Sequence, residues 1–258
     1  MKKVIVDIGG TKTFISLMEE GKIRKLEKFE TPRERRDLLN ILSRVFKYSN
    51  EIKTINVAIA GRYQNNKVIL SPNIPLLNFN LKDFFRTFEN VNIENDTLCG
   101  VCNLLNEGVN NALLINWGTG IGGAIIIDGK IYRGMGKAGE IGHVRLIKGD
   151  WEDLLGGKSF VKKYGMDGVL LQKMAINGNK DAINALYELG KGFGEFLVSM
   201  IYILDPEIIV LYGGVINSWN FMKNGVKEKL REFRMKNKIR VIKDRYYTLR
   251  GCYYIDEI

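Results

Sequence analysis

Apolar runs punctuated by glycine turns open the chain. Lys3 to Ile8 and Lys12 to Leu17 flank Gly9-Gly10-Thr11, and Glu20-Gly21 turns into a third run. Residues 3–30 therefore read as three antiparallel strands. Thr31-Pro32 starts a helix over 33–48, with Leu38, Leu39, Leu42, Val45 and Phe46 on one face. A buried strand over 55–60 ends at Gly61-Arg62. Asn65-Asn66 turns into a short strand over 68–70, and Ser71-Pro72-Asn73-Ile74-Pro75 is an irregular loop. A helix over 81–88 and a short strand over 91–93 follow. Glu94-Asn95-Asp96-Thr97 then caps a helix reaching to Asn106.

The pattern restarts near Asn111. Residues 112–116 suit a buried strand, a glycine cluster follows, and 124–127 form a second apolar run ending in an Asp128-Gly129 turn. A glycine-rich loop spans 134–142. Helices are predicted over 151–164, 167–176 and 180–204; in the last, Gly190, Gly192 and Gly194 allow close packing. Asp205-Pro206-Glu207 stops it before a buried strand over 208–211 that ends at Gly213-Gly214. A basic amphipathic helix over 219–236, a strand over 239–242 and a short helix over 248–255 complete the chain. Without any linker-like stretch, the expected division is 1–110, joined by the tail from about 245 to 258, and 111–244.

Gly118-x-Gly120-x-x-Gly123 matches a dinucleotide-binding fingerprint by pattern. That fingerprint must open a helix, whose N-terminus holds the pyrophosphate. Here the glycines open a run of isoleucines, so a nicotinamide cofactor is excluded. A strand–turn–strand glycine loop can instead present several backbone N–H groups to one anion, and Thr119 adds a hydroxyl. Taken alone, the same stretch reads equally as a glycine-rich β-turn without a ligand. Gly9-Gly10-Thr11-Lys12 is a second such loop, which points to an internal duplication and two lobes. Two facing loops would grip a polyphosphate from both sides. Asp7 supplies a carboxylate suited to Mg²⁺ held through water, and Lys12 a point charge for a phosphate.

Asp96 stands where a strand gives way to a helix. It reads either as an N-cap or as a general base that takes a proton from a hydroxyl attacking a phosphorus. Glu140, His143 and Glu152 cluster after the second glycine loop. Carboxylates and a neutral imidazole suit the vicinal hydroxyls of a sugar. The plain alternatives are solvated surface charge for the glutamates and a buried, satisfied ring for His143, the only histidine.

Composition narrows the classes. Lys and Arg number 39 against 29 Asp and Glu, a net charge of +10 that admits anionic partners. The basic residues are scattered, with no arginine-rich tail or zinc-finger spacing, which argues against nucleic acid. Three cysteines make no disulfide framework, and Cys99-Gly-Val-Cys102 reads as small buried residues in a helix. No apolar run reaches the ~18 residues of a membrane span, and Met1-Lys-Lys leads straight into a strand. A cytoplasmic protein without a membrane partner is the expectation.

Five motifs in order resemble the ROK family: Asp7-Ile-Gly-Gly-Thr-Lys12, Glu94-Asn95-Asp96, Gly118-Thr-Gly-Ile-Gly-Gly123, Gly139-Glu-Ile-Gly-His143 and Asp205-Pro-Glu-Ile-Ile-Val-Leu-Tyr-Gly-Gly214. That family holds sugar kinases and sugar-responsive repressors. The resemblance implies an α/β, two-lobed actin-like ATPase/hexokinase (ribonuclease H-like) fold with a duplicated βββαβαβα core. It implies an ATP-dependent hexose kinase using Mg²⁺, of glucokinase or broad hexokinase type, acting on the sugar 6-hydroxyl. N-acetylmannosamine, N-acetylglucosamine, fructose or allose are the alternative substrates, and a non-catalytic sugar-binding regulator is the alternative class. Asp96 would be the catalytic base, with sugar contacts from Asn95, Glu140, His143, Glu152, Gly61 and Asn73. ATP phosphates would meet Gly9, Gly10, Thr11, Lys12, Gly118, Thr119, Gly120, Gly122 and Gly123. Gly213 and Gly214 would lie near the adenosine, and a homodimer is implied.

One departure stands out. Most of the family follows this Gly-His pair with a cysteine cluster that binds structural zinc together with the histidine. Residues 144–157 contain no cysteine, so no zinc is expected. Packing by Trp151 and Leu154 is expected to order the loop instead.

Overall fold

A computed structural model describes residues 1–71 and 73–257, so Pro72 of the predicted irregular loop lies outside the described residues. The chain divides into two compact units, Met1–Glu107 with the returning tail from Tyr246, and Gly108–Arg245.

The first unit is built on β1 (Lys2–Ile8), β2 (Lys12–Glu19) and β3 (Lys22–Glu30), an antiparallel meander. Helix α1 (Arg35–Leu42) follows and tightens into a 3₁₀ stretch, Ser43–Tyr48, so the single predicted helix is two pieces. Strand β4 (Thr54–Ile59) pairs parallel with β1. Next come a small hairpin, β5 (Arg62–Gln64) and β6 (Lys67–Leu70), and the one-turn helix α2 (Leu81–Phe84), half the length predicted. Strand β7 (Asn90–Asn95) pairs parallel with β4 and runs directly into α3 (Asp96–Asn106). The sheet order is β3-β2-β1-β4-β7.

The second unit repeats this plan. It contains β8 (Ala112–Trp117), β9 (Ile121–Ile127), β10 (Lys130–Tyr132), α4 (Trp151–Leu155), α5 (Gly157–Tyr164), α6 (Gly168–Ile176), α7 (Lys180–Leu204), β11 (Ile208–Tyr212), α8 (Trp219–Glu232) and β12 (Lys238–Val241). Its sheet order, β10-β9-β8-β11-β12, matches the first position for position. The predicted helix over 151–164 is broken at Gly156, whose extended φ and ψ serve both as the end of α4 and the start of α5. Helix α7 has the predicted bounds. A Cβ on Gly190 or Gly194 would meet the α8 backbone at 2.2 and 3.1 Å, which is why glycines interrupt an otherwise apolar helix. Helix α9 (Tyr247–Cys252) then returns to the first unit against α3.

Alternation along β1 divides its side chains. Val4, Val6 and Ile8 enter a core with Leu38, Leu42 and Phe85. Ile5 faces the other way, onto Cys99, Leu249 and Cys252, and Asp7 shares that face. The three cysteines are buried and free, and burial pushes the Cys99 thiol well above its ordinary range, with Cys252 and Cys102 adding to the effect. Lys3 is wholly buried and donates to the Tyr253 carbonyl (2.9 Å), Asp256 (2.7 Å) and Glu257 (2.9 Å), which fixes the tail to β1. Among the described residues no helix is long and apolar enough to cross a membrane.

Candidate functional site

In the first unit, β1, β4 and β7 lie side by side and parallel, with Asp7, Ala58 and Glu94 in one row and Ile8, Ile59 and Asn95 in the next. Their carboxyl ends are where open α/β sheets bind ligands. Asp7 is half-buried there and has no hydrogen-bond partner among the described residues. Its carboxyl is pushed up to about 8 by burial and, secondarily, by the charge of Asp96. Two carboxylates thus approach one another at the strand ends. Hard oxygen donors of this kind fit a Mg²⁺ that keeps most of its waters.

The turn from Gly9 to Thr11 joins β1 to β2. Two of its carbonyls are occupied: Thr31 N donates to Thr11 O (3.0 Å) and the Thr31 hydroxyl donates to Gly9 O (2.7 Å), while Gly9 N donates to Lys12 O (2.9 Å). The amides of Gly10 and Thr11 have no acceptor among the described residues. Lys12 is exposed beside them. Asn73 lies over the turn, because a Cβ on Gly10 would fall 2.7 Å from the Asn73 Cβ.

Asn95, not Asp96, is the N-cap of α3. Its Oδ1 accepts from the amides of Thr97 (2.9 Å) and Leu98 (3.2 Å), and its Nδ2 donates to Gly61 O (3.0 Å). The cap needs an oxygen one residue earlier than Asp96, so Asn95 has a structural role whatever else it touches. Asp96 is the first helical residue, half-buried, and accepts from the Thr97 amide at 2.8 Å. Gly61 is required by close approach, since a Cβ there would lie 2.3 Å from Leu70 O.

In the second unit, β8 and β11 run parallel with Asn116 beside Tyr212. The residues after each strand are therefore neighbours. A Cβ on Gly213 (φ +112°) would lie 2.4 Å from Trp117 O, and one on Gly118 would lie 4.0 Å from Gly214 N. The turn Gly118–Gly120 joins β8 to β9, and the glycines lead into a strand and not a helix, as the isoleucine run requires. The amides of Thr119 and Gly120 have no acceptor among the described residues.

Gly122 and Gly123 lie inside β9. Gly123 is buried: a Cβ would meet Ile141 Cδ1 at 2.6 Å and Gly139 O at 2.9 Å. This glycine lets the 139–142 loop press onto the strand. That contact carries Glu140 and His143 to the same sheet edge as the turn. Glu140 is exposed, and its carboxylate has no partner among the described residues. The His143 side chain is 57% exposed, so the alternative of a buried ring is excluded.

Glu152 is half-buried and tied to the chain's own backbone. Its Oε2 accepts from the Ile121 amide at 2.8 Å, at the first residue of β9. A Cβ on Gly120 would fall 2.2 Å from that oxygen. Gly120 thus makes room for a carboxylate of the chain itself.

The 143–157 segment is ordered without cysteine. Asp150 and Asp153 form a capping box at the start of α4. Trp151 packs edge-on against Phe196 at 5.4 Å, as expected. Leu154 is 46% exposed and orders nothing; the buried residue is Leu155, whose carbonyl accepts from Trp117 Nε1 at 2.8 Å. Among the described residues no group of three or more His, Cys, Asp or Glu side chains is placed to hold a metal. Sequence reasoning missed Thr31, Asp150 and the Ile121 amide. Each is an ordinary residue whose role depends on a partner distant in sequence.

A family model described as the ROK family matches residues 3–246. The chain belongs to the ROK family. This ROK protein has the actin-like ATPase/hexokinase fold, in keeping with its two matching five-stranded sheets. It is similar to a Streptomyces coelicolor glucokinase, 25% identical with 88% of this chain and 86% of the relative covered. It is similar also to a Vibrio cholerae N-acetylmannosamine kinase, 30% identical, covering 83% of this chain and 84% of the relative. Among solved structures, a ROK glucokinase from Streptomyces griseus in complex with glucose and AMPPNP superposes with a TM-score of 0.82, at 24% identity and 98% coverage of both chains.

Proposed function

We propose that this ROK protein is an ATP-dependent hexose kinase, of glucokinase or broad hexokinase type, that phosphorylates the sugar 6-hydroxyl. The observation that carries the reading is the Asp7–Asp96 pair at the carboxyl ends of parallel strands, beside a turn whose two amides have no acceptor among the described residues. Phosphoryl transfer needs a base, a cation and donors around the phosphates, and little covalent chemistry beyond them. Asp96 takes the proton from the attacking hydroxyl. Asp7 would hold Mg²⁺ through water, and the cation would supply charge neutralisation at the phosphates. In the first unit the Gly10 and Thr11 amides and Lys12 bind phosphate. In the second, the Thr119 and Gly120 amides do so, with Gly213 and Gly214 near the adenosine. Glu140 and His143 bind sugar hydroxyls, through a carboxylate and an imidazole Nε2 that have no partner among the described residues.

The relatives named for glucose and for N-acetylmannosamine keep the choice of hexose a matter for assay. A coupled ADP-release assay with Mg²⁺ across glucose, mannose, N-acetylmannosamine, N-acetylglucosamine, fructose and allose tests the reading. Glucose or mannose should give the highest kcat/KM. ADP release with none of them would remove the proposal, and preference for an N-acetylated hexosamine would change its substrate. A cytoplasmic homodimer belongs to the same proposal; sedimentation at micromolar concentration checks the assembly.

A further inference from the structure

His143 is the only histidine of the chain. Its Nδ1 lies 3.4 Å from Asp150 Oδ2, while its Nε2 has no partner among the described residues. The Asp150 side chain is only 13% exposed, against 57% for the histidine. A tight return brings it there: Arg145 bridges to Asp150 across a turn closed by Leu146 N to Gly149 O at 3.1 Å, with Gly149 at φ +76°.

The two oxygens of Asp150 have separate duties. Oδ1 accepts from the Asp153 amide at 2.9 Å and caps α4. Oδ2 faces the imidazole, with Arg145 Nη1 3.8 Å away. Burial opposes ionisation, yet the Asp153 amide, His143 and Arg145 together hold the carboxyl below its ordinary value. An ionised carboxylate only accepts hydrogen bonds. Facing it, Nδ1 must carry the hydrogen, and in a neutral imidazole the other nitrogen is then bare.

We propose that Asp150 is a positioning residue that fixes the Nδ1–H tautomer of His143 and so presents Nε2 as an acceptor to a sugar hydroxyl. The identity of the hydroxyl donor rests on the sugar-kinase reading; the tautomer does not. The same helix turn holds Glu152 on the Ile121 amide. One short element therefore sets both the imidazole and the start of β9.

Asp150→Asn separates the two duties. Asparagine remains a good N-cap through its oxygen, but it turns an NH₂ donor toward Nδ1. The imidazole must then accept at Nδ1 and carry its hydrogen on Nε2. Long-range ¹H–¹⁵N spectra of histidine-labelled protein read this directly, because one histidine gives one pair of nitrogen signals. With the imidazole neutral, the unaltered protein should show Nδ1–H and Asp150→Asn should show Nε2–H. Melting temperature should stay nearly the same. An Nε2–H tautomer in the unaltered protein would overturn the proposal even if the variant fails to fold, as would one tautomer common to both. In steady-state assays Asp150→Asn should raise the sugar KM about tenfold, as loss of an orienting partner does, with the ATP KM within about twofold. A tautomer that inverts with no change in sugar KM would overturn the sugar contact. If the unaltered protein phosphorylates no hexose, the kinase reading fails while the spectra still decide the dyad.

Discussion

The turn over Gly9–Thr11 and the turn over Gly118–Gly120 join corresponding strands of the two sheets, and each leaves two amides without an acceptor among the described residues. Their surroundings differ. The first is held from its own sheet, through Thr31, and stands beside two carboxylates. The second is backed by helices: Gly157 donates to Gly118 O (2.9 Å), Lys158 to Thr119 O (3.2 Å), and Glu152 accepts from Ile121. A duplicated frame has thus been given acids in one half and a helical brace in the other. The same glycine-rich pattern can therefore serve two unlike jobs.

The largest effect is expected where the acids are. Asp96→Asn should lower kcat by about 10²–10⁴-fold, the range for loss of a general base, with sugar KM almost unchanged. Near-normal turnover would take Asp96 out of the reaction. Glycine substitutions probe the brace. Gly120→Val drives a side chain into Glu152, so it should raise both the sugar and the ATP KM. Gly10→Val meets the exposed Asn73 side chain first and should weaken ATP more than sugar. Equal profiles for the two variants would erase the contrast between the turns.

Glu152→Ala should cost about 1–3 kcal/mol by leaving the buried Ile121 amide unsatisfied, while Glu152→Gln keeps an acceptor and should lose less. Urea denaturation of both variants checks the order. The last effect is a slope with pH. The Asp7 carboxyl moves from 3.8 to about 8 on folding, so its neutral form is favoured in the folded chain. Its contribution is complete below about pH 4 and is lost as the pH rises through about 8. Without nucleotide or Mg²⁺, urea stability should fall over that window, and Asp7→Asn should flatten the fall. An unchanged slope would place Asp7 in water.

Much of the frame was legible in the residues. Isoleucine runs around Gly118–Gly123 separated a hairpin from a helix-opening fingerprint, and Asp205-Pro206 marked the end of α7. Errors fell where local pattern is short or shared. The 33–48 and 81–88 stretches are apolar enough for full helices, but α2 stops after one turn at Phe85, whose ring lies 6.3 Å from that of Phe46. Leu154 and Leu155 are adjacent leucines, and only the break at Gly156 decides which one faces Trp117.

By itself the sequence determined the repeated strand–turn–strand units, the family, and the set of acids and glycines available for chemistry. Periodicity and turn preference are properties of neighbouring residues, so they can be read in one dimension. Only the tertiary structure decided that Asn95 caps α3, that Gly123 is buried beneath Ile141, and that Glu152 and Asp150 reach Ile121 and His143. Those are single hydrogen bonds and close approaches between segments, and a polar side chain carries no mark of which distant amide or ring the backbone will bring to it.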